Sequence, residues 1–334
     1  MHTNQHDRAW LRLPFLAILA IAVTLTVSAC LDEENPNVPP PQSIGLSVNS
    51  NRQLTFLRAA VNRAGLATTL NGTGPITVFA PTDDAFRAAG FSDTAAINRA
   101  PVATLQQILS YHVINGTAIN SSAIAAGQTA QQSSLATNGT LYISKAASTS
   151  TTSGSASTGI SVNNARVILA DQQATNGVVH VIDRVLMPPA GNVLQVVAAD
   201  TSLSLLAAAA QLGGAAVTSA LSGSTALTVF APTNAAFRAA GFGSAAAIQA
   251  APQATLTGIL TYHVVPGVRA YSPTLTNGAA ITTFQGGSVT ANVGANNAVS
   301  ITGKGNNGVP ANVIMPDINA TNGVVHKIDR VLLP

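Results

Sequence analysis

A fourteen-residue block occurs twice in this chain, and that duplication limits the fold more than any other feature. Residues 175–188 read TNGVVHVIDRVLMP and residues 321–334 read TNGVVHKIDRVLLP. Asn-Gly marks a turn and the apolar residues after it are β-branched, so each copy predicts a turn feeding a strand. Inside the block, Val181 of the first copy stands where the second has Lys327. A lysine is seldom buried, so that face of the strand is expected to look outward. Side chains alternate along a strand, which turns Val178, His180 and Ile182, and likewise Val324, His326 and Ile328, towards the core. A second block, TVFAPTDDAFRAAGF at 77–91, returns as TVFAPTNAAFRAAGF at 228–242. Tyr111-His112-Val113 returns as Tyr262-His263-Val264. Phe79 and Phe230 lie 151 residues apart, whereas His180 and His326 lie 146 apart. The chain thus divides into two copies of one module of about 150 residues, an ordinary domain length. A repeat that long means tandem domains and not a solenoid.

Composition excludes some classes. Hydrophobic residues make up 47% of the 334, but charged residues only 8% and the net charge is +3. Such a chain has an aliphatic core under a weakly charged surface. It has no Lys/Arg cluster, which argues against nucleic acid as a partner. With one cysteine, Cys30, no internal disulfide forms, so the modules rely on core burial.

Cys30 also ends a recognisable leader. Arg8 and Arg12 precede an uncharged apolar run at 13–29, the parts of a secretory signal. Val27-Ser28-Ala29-Cys30 resembles the bacterial lipobox, in which the cysteine is acylated and becomes the new N-terminus. The bland alternative is an uncleaved membrane anchor. Either reading places the remainder outside the cytoplasm, and the lipid would hold it on the membrane. Residues 1–29 are then a lipoprotein signal peptide and 30–43 the lipidated cysteine with its tether, which contains Pro39-Pro40-Pro41. Leu31, after the modified cysteine, favours the outer membrane or cell surface by the enterobacterial sorting rule.

Module one is expected over 44–189 and module two over 190–334. Leu54, Leu57, Val61 and Ala64 keep helical spacing up to Gly65. Residues 76–80 read as a strand, after which Thr82 caps a helix that opens with Asp83 and Asp84. Helices are expected from Ser92 to about Ala100 and from Pro101 to Tyr111, then short strands at 140–144, 160–163, 165–169 and 178–186. The Ser/Thr-rich run 147–159 is a solvated tip that module two lacks, and module two inserts Gly303–Ala311 instead. Val193, Leu194, Val196 and Val197 predict a leading helix in module two that module one lacks or has shortened.

Three motifs in order resemble the fasciclin domain family: Thr-Val-Phe-Ala-Pro-Thr, Tyr-His 31 residues beyond its proline, and Asn-Gly-Val-Val-His-x-Ile-Asp-x-Val-Leu. The resemblance covers nearly all of 44–334, twice. It implies a mixed α and β fold, in which each of two tandem modules is a wedge-like β-sandwich of about seven strands with flanking helices. It also implies cell adhesion and binding to extracellular-matrix partners. In animal members the Tyr-His region and an Asp-Ile pair are implicated in receptor binding. Those positions map to Tyr111, His112, Tyr262, His263, Asp317 and Ile318, which become the candidate partner-binding residues. Module one departs from the pattern, because Gln172 follows Asp171.

Each candidate has a bland reading beside it. His112, His180, His263 and His326 invite a metal, but no cysteine or carboxylate cluster accompanies them, and buried imidazoles bonded to backbone are favoured. The Tyr-His pairs sit at helix-to-strand junctions, where an amphipathic ring suits a structural role. His180, Asp183, His326 and Asp329 are assigned to the structural motif, with Asp183 and Asp329 pairing or capping locally. No nucleophile elbow, Walker loop or metalloprotease motif occurs, so no catalytic residue, metal or cofactor is expected. The expected function is non-enzymatic binding of an extracellular or cell-surface protein or polysaccharide. A periplasmic small-ligand or glycan-binding protein is the alternative.

Overall fold

A computed structural model describes residues 42–126, 129–145, 159–295 and 298–334. Cys30, the leader, the tether as far as Pro41 and most of the Ser/Thr-rich run lie outside the described residues. Module one runs α1 (Ile44–Ser50), α2 (Thr55–Ala64), α3 (Ala67–Leu70), β1 (Ile76–Pro81), α4 (Asp83–Ala88), α5 (Thr94–Arg99) and α6 (Val102–Tyr111). Its strands continue with β2 (Val113–Asn115), β3 (Thr129–Ser133), β4 (Thr140–Lys145), β5 (Ile160–Val162), β6 (Ala165–Ala174) and β7 (Gly177–Ile182). Module two repeats the order as α7 (Val193–Ala199), α8 (Ser204–Leu212), α9 (Gly214–Ser222), β8 (Leu227–Pro232), α10 (Asn234–Ala239), α11 (Ala245–Ala250) and α12 (Gln253–Tyr262). It ends with β9 (Val264–Pro266), β10 (Ala279–Thr282), β11 (Ser288–Val293), β12 (Val299–Gly303), β13 (Ala311–Ala320) and β14 (Gly323–Ile328).

Each module holds one seven-stranded sheet, ordered β2-β1-β7-β6-β5-β4-β3 in the first and β10-β11-β12-β13-β14-β8-β9 in the second. The central pairs β1·β7 and β8·β14 are parallel and the other neighbours antiparallel. Two cores follow from strand alternation. Val78, Ala80, Val179 and Val181 pack under the helices with Leu57, Phe86, Leu105 and Leu109. Phe79, Leu141, Ile143, Val162, Val167 and Ile182 share the other core, so strands from opposite parts of the sheet enclose it and the sheet curls nearly into a barrel.

That double cover corrects the outward face expected for Val181 and Lys327. Both are buried. Parallel central strands are covered on both faces, here by the helical layer on one side. Lys327 survives there because its Nζ pairs with the Asp200 carboxylate and donates to Ser202 Oγ at 3.0 Å. Burial alone would raise the Asp200 carboxyl, but Lys327 and Ser202 together hold it below its ordinary value.

Local chemistry sets the helix ends. Thr82 and Thr233 each accept from the amide three residues on, Ala85 or Ala236. Asp83 and Asn234 play the same part in the two modules: Asp83 Oδ1 accepts the Phe56 amide, and Asn234 Oδ1 accepts the Leu205 amide. Gly65 ends α2 at φ 70°, in the left-handed region that favours glycine. The leading helix exists in both modules, as α1 and α7, which corrects its expected loss from module one. Residues 183–186 are not strand; the last strand stops at Ile182, and β6 instead runs on to Ala174.

Candidate functional site

The duplicated block is a set of staples. Asn176 Oδ1 accepts the Ile44 amide at the start of α1, while its Nδ2 donates to the Leu70 and Gly72 carbonyls. Asn322 does the same for Val193, Leu221 and Gly223. The glycine that follows is steric: a Cβ on Gly177 or Gly323 would collide with the carbonyl oxygen of Ile76 or Leu227 on the parallel neighbour.

His180 and His326 face inward, as alternation requires, and both are buried. His180 Nε2 donates to the Ile119 carbonyl at 2.7 Å and its Nδ1 accepts the Asp171 amide at 3.3 Å. His326 repeats this with the Ala270 carbonyl at 2.8 Å and the Asp317 amide at 3.2 Å. An Nδ1 that accepts and an Nε2 that donates define a neutral ring. Burial lowers the His180 pKa, against the opposing pull of Ile119 and Asp171.

The aspartates that meet these rings sit on bulges, where the register of β6 against β7 and of β13 against β14 shifts. Asp171 and Asp317 adopt φ 57° and 65°, a conformation aspartate tolerates better than most residues. Each carboxylate takes both the amide and the hydroxyl of one serine, Ser121 or Ser272. Asp317 is only 4% exposed, and Ile318 packs on the helical core. Ahead of them the bulges expose Ile168 and Leu169 at 46% and 44%, and Ile314 and Met315 at 57% and 49%. Asp183 and Asp329 close the far end of the same hairpins, accepting the Arg166 and Asn312 amides.

All four members of the Tyr-His pairs are buried. His112 Nδ1 donates to the Ile108 carbonyl and its Nε2 accepts the Leu186 amide at 2.9 Å, tying the end of α6 to the last segment of the module. His263 joins Ile259 to Leu332 in the same way. Burial lowers both imidazoles from 6.5 to about 4. Tyr111 OH donates to the Thr140 carbonyl and Tyr262 OH to that of Ser288. Burial pushes the Tyr111 phenol up to about 12. Placed so, these four side chains and the Asp317 carboxylate are buried and hold backbone, the arrangement that the structural reading beside the partner-binding one describes. Among the described residues no three His, Cys, Asp or Glu side chains converge as a metal site would require.

Sequence reasoning missed the joint between the modules. Tyr111 OH, besides its bond to Thr140, accepts from Asn163 Nδ2 of its own module and from Asn319 Nδ2 of module two at 2.9 Å. Arg269 places its guanidinium 4.6 Å from the centre of the Tyr142 ring and binds the carbonyls of Ala320, Thr321 and Gly323. Tyr271 lies against Tyr142 at 6.3 Å and donates to Asn319 Oδ1. A signal did exist. Arg269 and Tyr271 stand where module one has Ala118 and Asn120, so the copies differ where they meet.

Comparison with known proteins decides the family. The model of the Fasciclin domain matches residues 52–188 and again 202–334. This chain belongs to the fasciclin domain family. The fasciclin modules are 39% identical over 141 residues to Protein sll1483 of Synechocystis sp., a match covering 42% of this chain and 69% of that protein. They are 32% identical over 176 residues to transforming growth factor-beta-induced protein ig-h3 of Sus scrofa, covering 52% of this chain but 24% of that larger protein. A solved FAS1 domain pair from the insect cell adhesion molecule Fasciclin I overlaps 84% of this chain and 96% of its own, at 22% identity and a TM-score of 0.40.

Proposed function

We propose that this chain is a non-enzymatic envelope lipoprotein whose two fasciclin modules bind an extracellular or cell-surface protein or polysaccharide and so support adhesion. Family membership supports the adhesive class. The observation that carries the reading is the pair of exposed apolar residues at the same bulge of both modules, Ile168-Leu169 and Ile314-Met315. Exposed apolar patches on a polar surface mark interaction sites, and repetition in both copies gives two contacts on one chain. These residues, exposed where the Tyr-His pairs are buried, form the proposed contact surface. Asp171 and Asp317, pinned by their serines, fix the shape of the bulge behind it. The Asp171 carboxyl, which burial alone would raise, is held below its ordinary value by Ser121.

The small-ligand alternative finds less support. An apolar recess of module one, walled by Leu57, Val61, Leu70, Val78 and Leu109, encloses about 20 Å³. That is room for about one water, against roughly 300 Å³ or more in small-molecule sites.

The envelope location rests on the sequence of residues 1–43, with Cys30 as the acylated residue. Fractionating cells that express the chain or its Cys30→Ala variant tests it. The unaltered chain should travel with envelope membranes and the variant should appear soluble or uncleaved. Identical fractionation of the two would remove the lipoprotein part of the proposal.

A further inference from the structure

Charge is scarce in this chain, so the charged positions that both modules share stand out. They are Arg87 with Arg238, Asp171 with Asp317, Asp183 with Asp329, and Arg184 with Arg330. The first three pairs have a role within the fold. Arg87 and Arg238 sit in the last turn of α4 and α10, where a cation is favoured. Asp171 and Asp317 hold their serines. Asp183 and Asp329 clasp the strand beside them. The Asp183 amide donates to the Arg166 carbonyl at 3.1 Å while its Oδ1 accepts the Arg166 amide at 2.7 Å, and Asp329 repeats both bonds with Asn312.

The fourth pair has no such role. Arg184 and Arg330 are exposed, and among the described residues neither guanidinium forms an ion pair or a hydrogen bond. The neighbouring carboxylates are committed elsewhere. Asp183 holds the Arg166 amide, and Asp329 gives its second oxygen to Asn312 Nδ2 at 2.8 Å. Arg184 reaches Asp183 through charge alone: burial raises that carboxyl, and the Arg166 amide with the charges of Arg184 and Arg166 offsets part of the rise.

Each of these arginines lies beside the exposed apolar pair of its module. Val167 pairs with Ile182 across the hairpin, and Val313 with Ile328. Ile168 is one residue beyond that pairing on one strand, and Arg184 is two residues beyond it on the other, in the opposite sense. At about 3.3 Å per residue and about 4.8 Å between strands, their backbones are about 11 Å apart. Ile314 and Arg330 stand in the same relation. An extended segment of three or four residues spans that distance.

We propose that each module recognises an extended acidic and apolar segment of a partner protein, with an aliphatic side chain on Ile168-Leu169 or Ile314-Met315 and a carboxylate on Arg184 or Arg330. This names the partner of the adhesive surface and rests on that reading. A guanidinium fork matches a carboxylate in a two-point geometry, and arginine is enriched among the residues that carry most of an interface's binding energy. The bulges favour a protein segment over a sugar chain. Residues 166–170 and 312–316 contain no aromatic ring on which a sugar would stack, whereas their aliphatic pairs suit an aliphatic side chain.

Retention of the full chain on dense peptide surfaces tests the proposal. Three extended octapeptides carry leucine at alternate positions, with aspartate, asparagine or lysine between. The expected order is aspartate above asparagine above lysine. The first two should differ about fivefold at low salt, the scale of two exposed ion pairs acting on one chain. That gap should close as salt rises from about 0.05 to 0.5 M. Arg184→Gln/Arg330→Gln, which removes no bond within the fold, should bring retention on aspartate down to that on asparagine. Arg63→Gln/Arg99→Gln removes the same charge from exposed positions of α2 and α5 and should leave the order unchanged. No retention on aspartate, no preference for it, a preference that survives Arg184→Gln/Arg330→Gln, or one lost equally in Arg63→Gln/Arg99→Gln would overturn the proposal. So would equal retention on polygalacturonate, an acidic polysaccharide without aliphatic side chains. Retention on asparagine that Ile168→Ser/Ile314→Ser abolishes keeps the adhesive surface in place even where the aspartate preference fails.

Discussion

Acid should unfold these modules earlier than their carboxylates alone would require. His112 and His263 are buried neutral, with both ring nitrogens committed to backbone. Their pKa falls from 6.5 to about 4 because burial penalises the charged form. The folded value lies below the unfolded one, so the unfolded chain takes up the proton first. Stability is then fully present above about pH 6.5 and is lost as the pH falls to about 4. At about 1.4 kcal/mol per pH unit, the whole gap comes to about 3 kcal/mol for each module, of which about 2 kcal/mol is gone by pH 5. For modules of this size that corresponds to a fall of roughly 4–8 °C in Tm between pH 7 and 5. His180, also lowered, adds to the effect in module one. Asp171 and Asp200, held below their ordinary values, lose their contribution only below about pH 4, and Asp183, raised by burial, works in the opposite direction. The window from pH 6.5 to 4.5 therefore belongs to histidine. Urea unfolding of the full chain across that window measures the slope, beside a His112→Gln/His263→Gln variant that is less stable at pH 7 but flatter. A chain equally stable at pH 7 and 4.5, or a variant with the unaltered slope, would refute the argument.

Other outcomes follow from the same contacts. His326→Leu leaves the Asp317 amide and the Ala270 carbonyl without partners and should cost about 3 kcal/mol in urea unfolding. Asn322→Ala breaks three backbone staples at once and should cost about as much, with the loss confined to module two. Lys327→Val leaves the Asp200 carboxylate with Ser202 but without its cation and should destabilise by about 2 kcal/mol, whereas adding Asp200→Asn should recover most of it. The double change reproduces Val181 and Asn51 of module one, and additive losses in that cycle would contradict the pairing.

Short-range chemistry was readable in the sequence. Thr82 and Thr233 as caps, Gly65 as a stop and the inward histidines all depend on residues within one turn or one strand. Lys327 misled because its burial depends on helices placed over the strand and on a partner, Asp200, far away in the chain. Asn176 and Asn322 look like ordinary turn residues, since nothing nearby reveals that their amides hold two distant segments. β3, with Thr129-Ala130-Gln131-Gln132-Ser133, lacks any apolar alternation and is a strand only because β4 lies beside it. The bulges were invisible for a similar reason: Ile168-Leu169 and Ile314-Met315 look like core strand residues, and only the register shift turns them out. The joint left its trace in a difference between the copies, where matching motifs draw attention to what is the same.

The proposed function turns on whether the exposed bulges bind. The direct measurement is binding of the full chain to intact cells and to purified envelope polysaccharide, beside an Ile168→Ser/Ile314→Ser variant shown to keep its unfolding midpoint. Saturable binding to one of the targets that is lost in the folded variant is the predicted result. Binding undiminished in that variant, or no binding of the unaltered chain to either target, would contradict it.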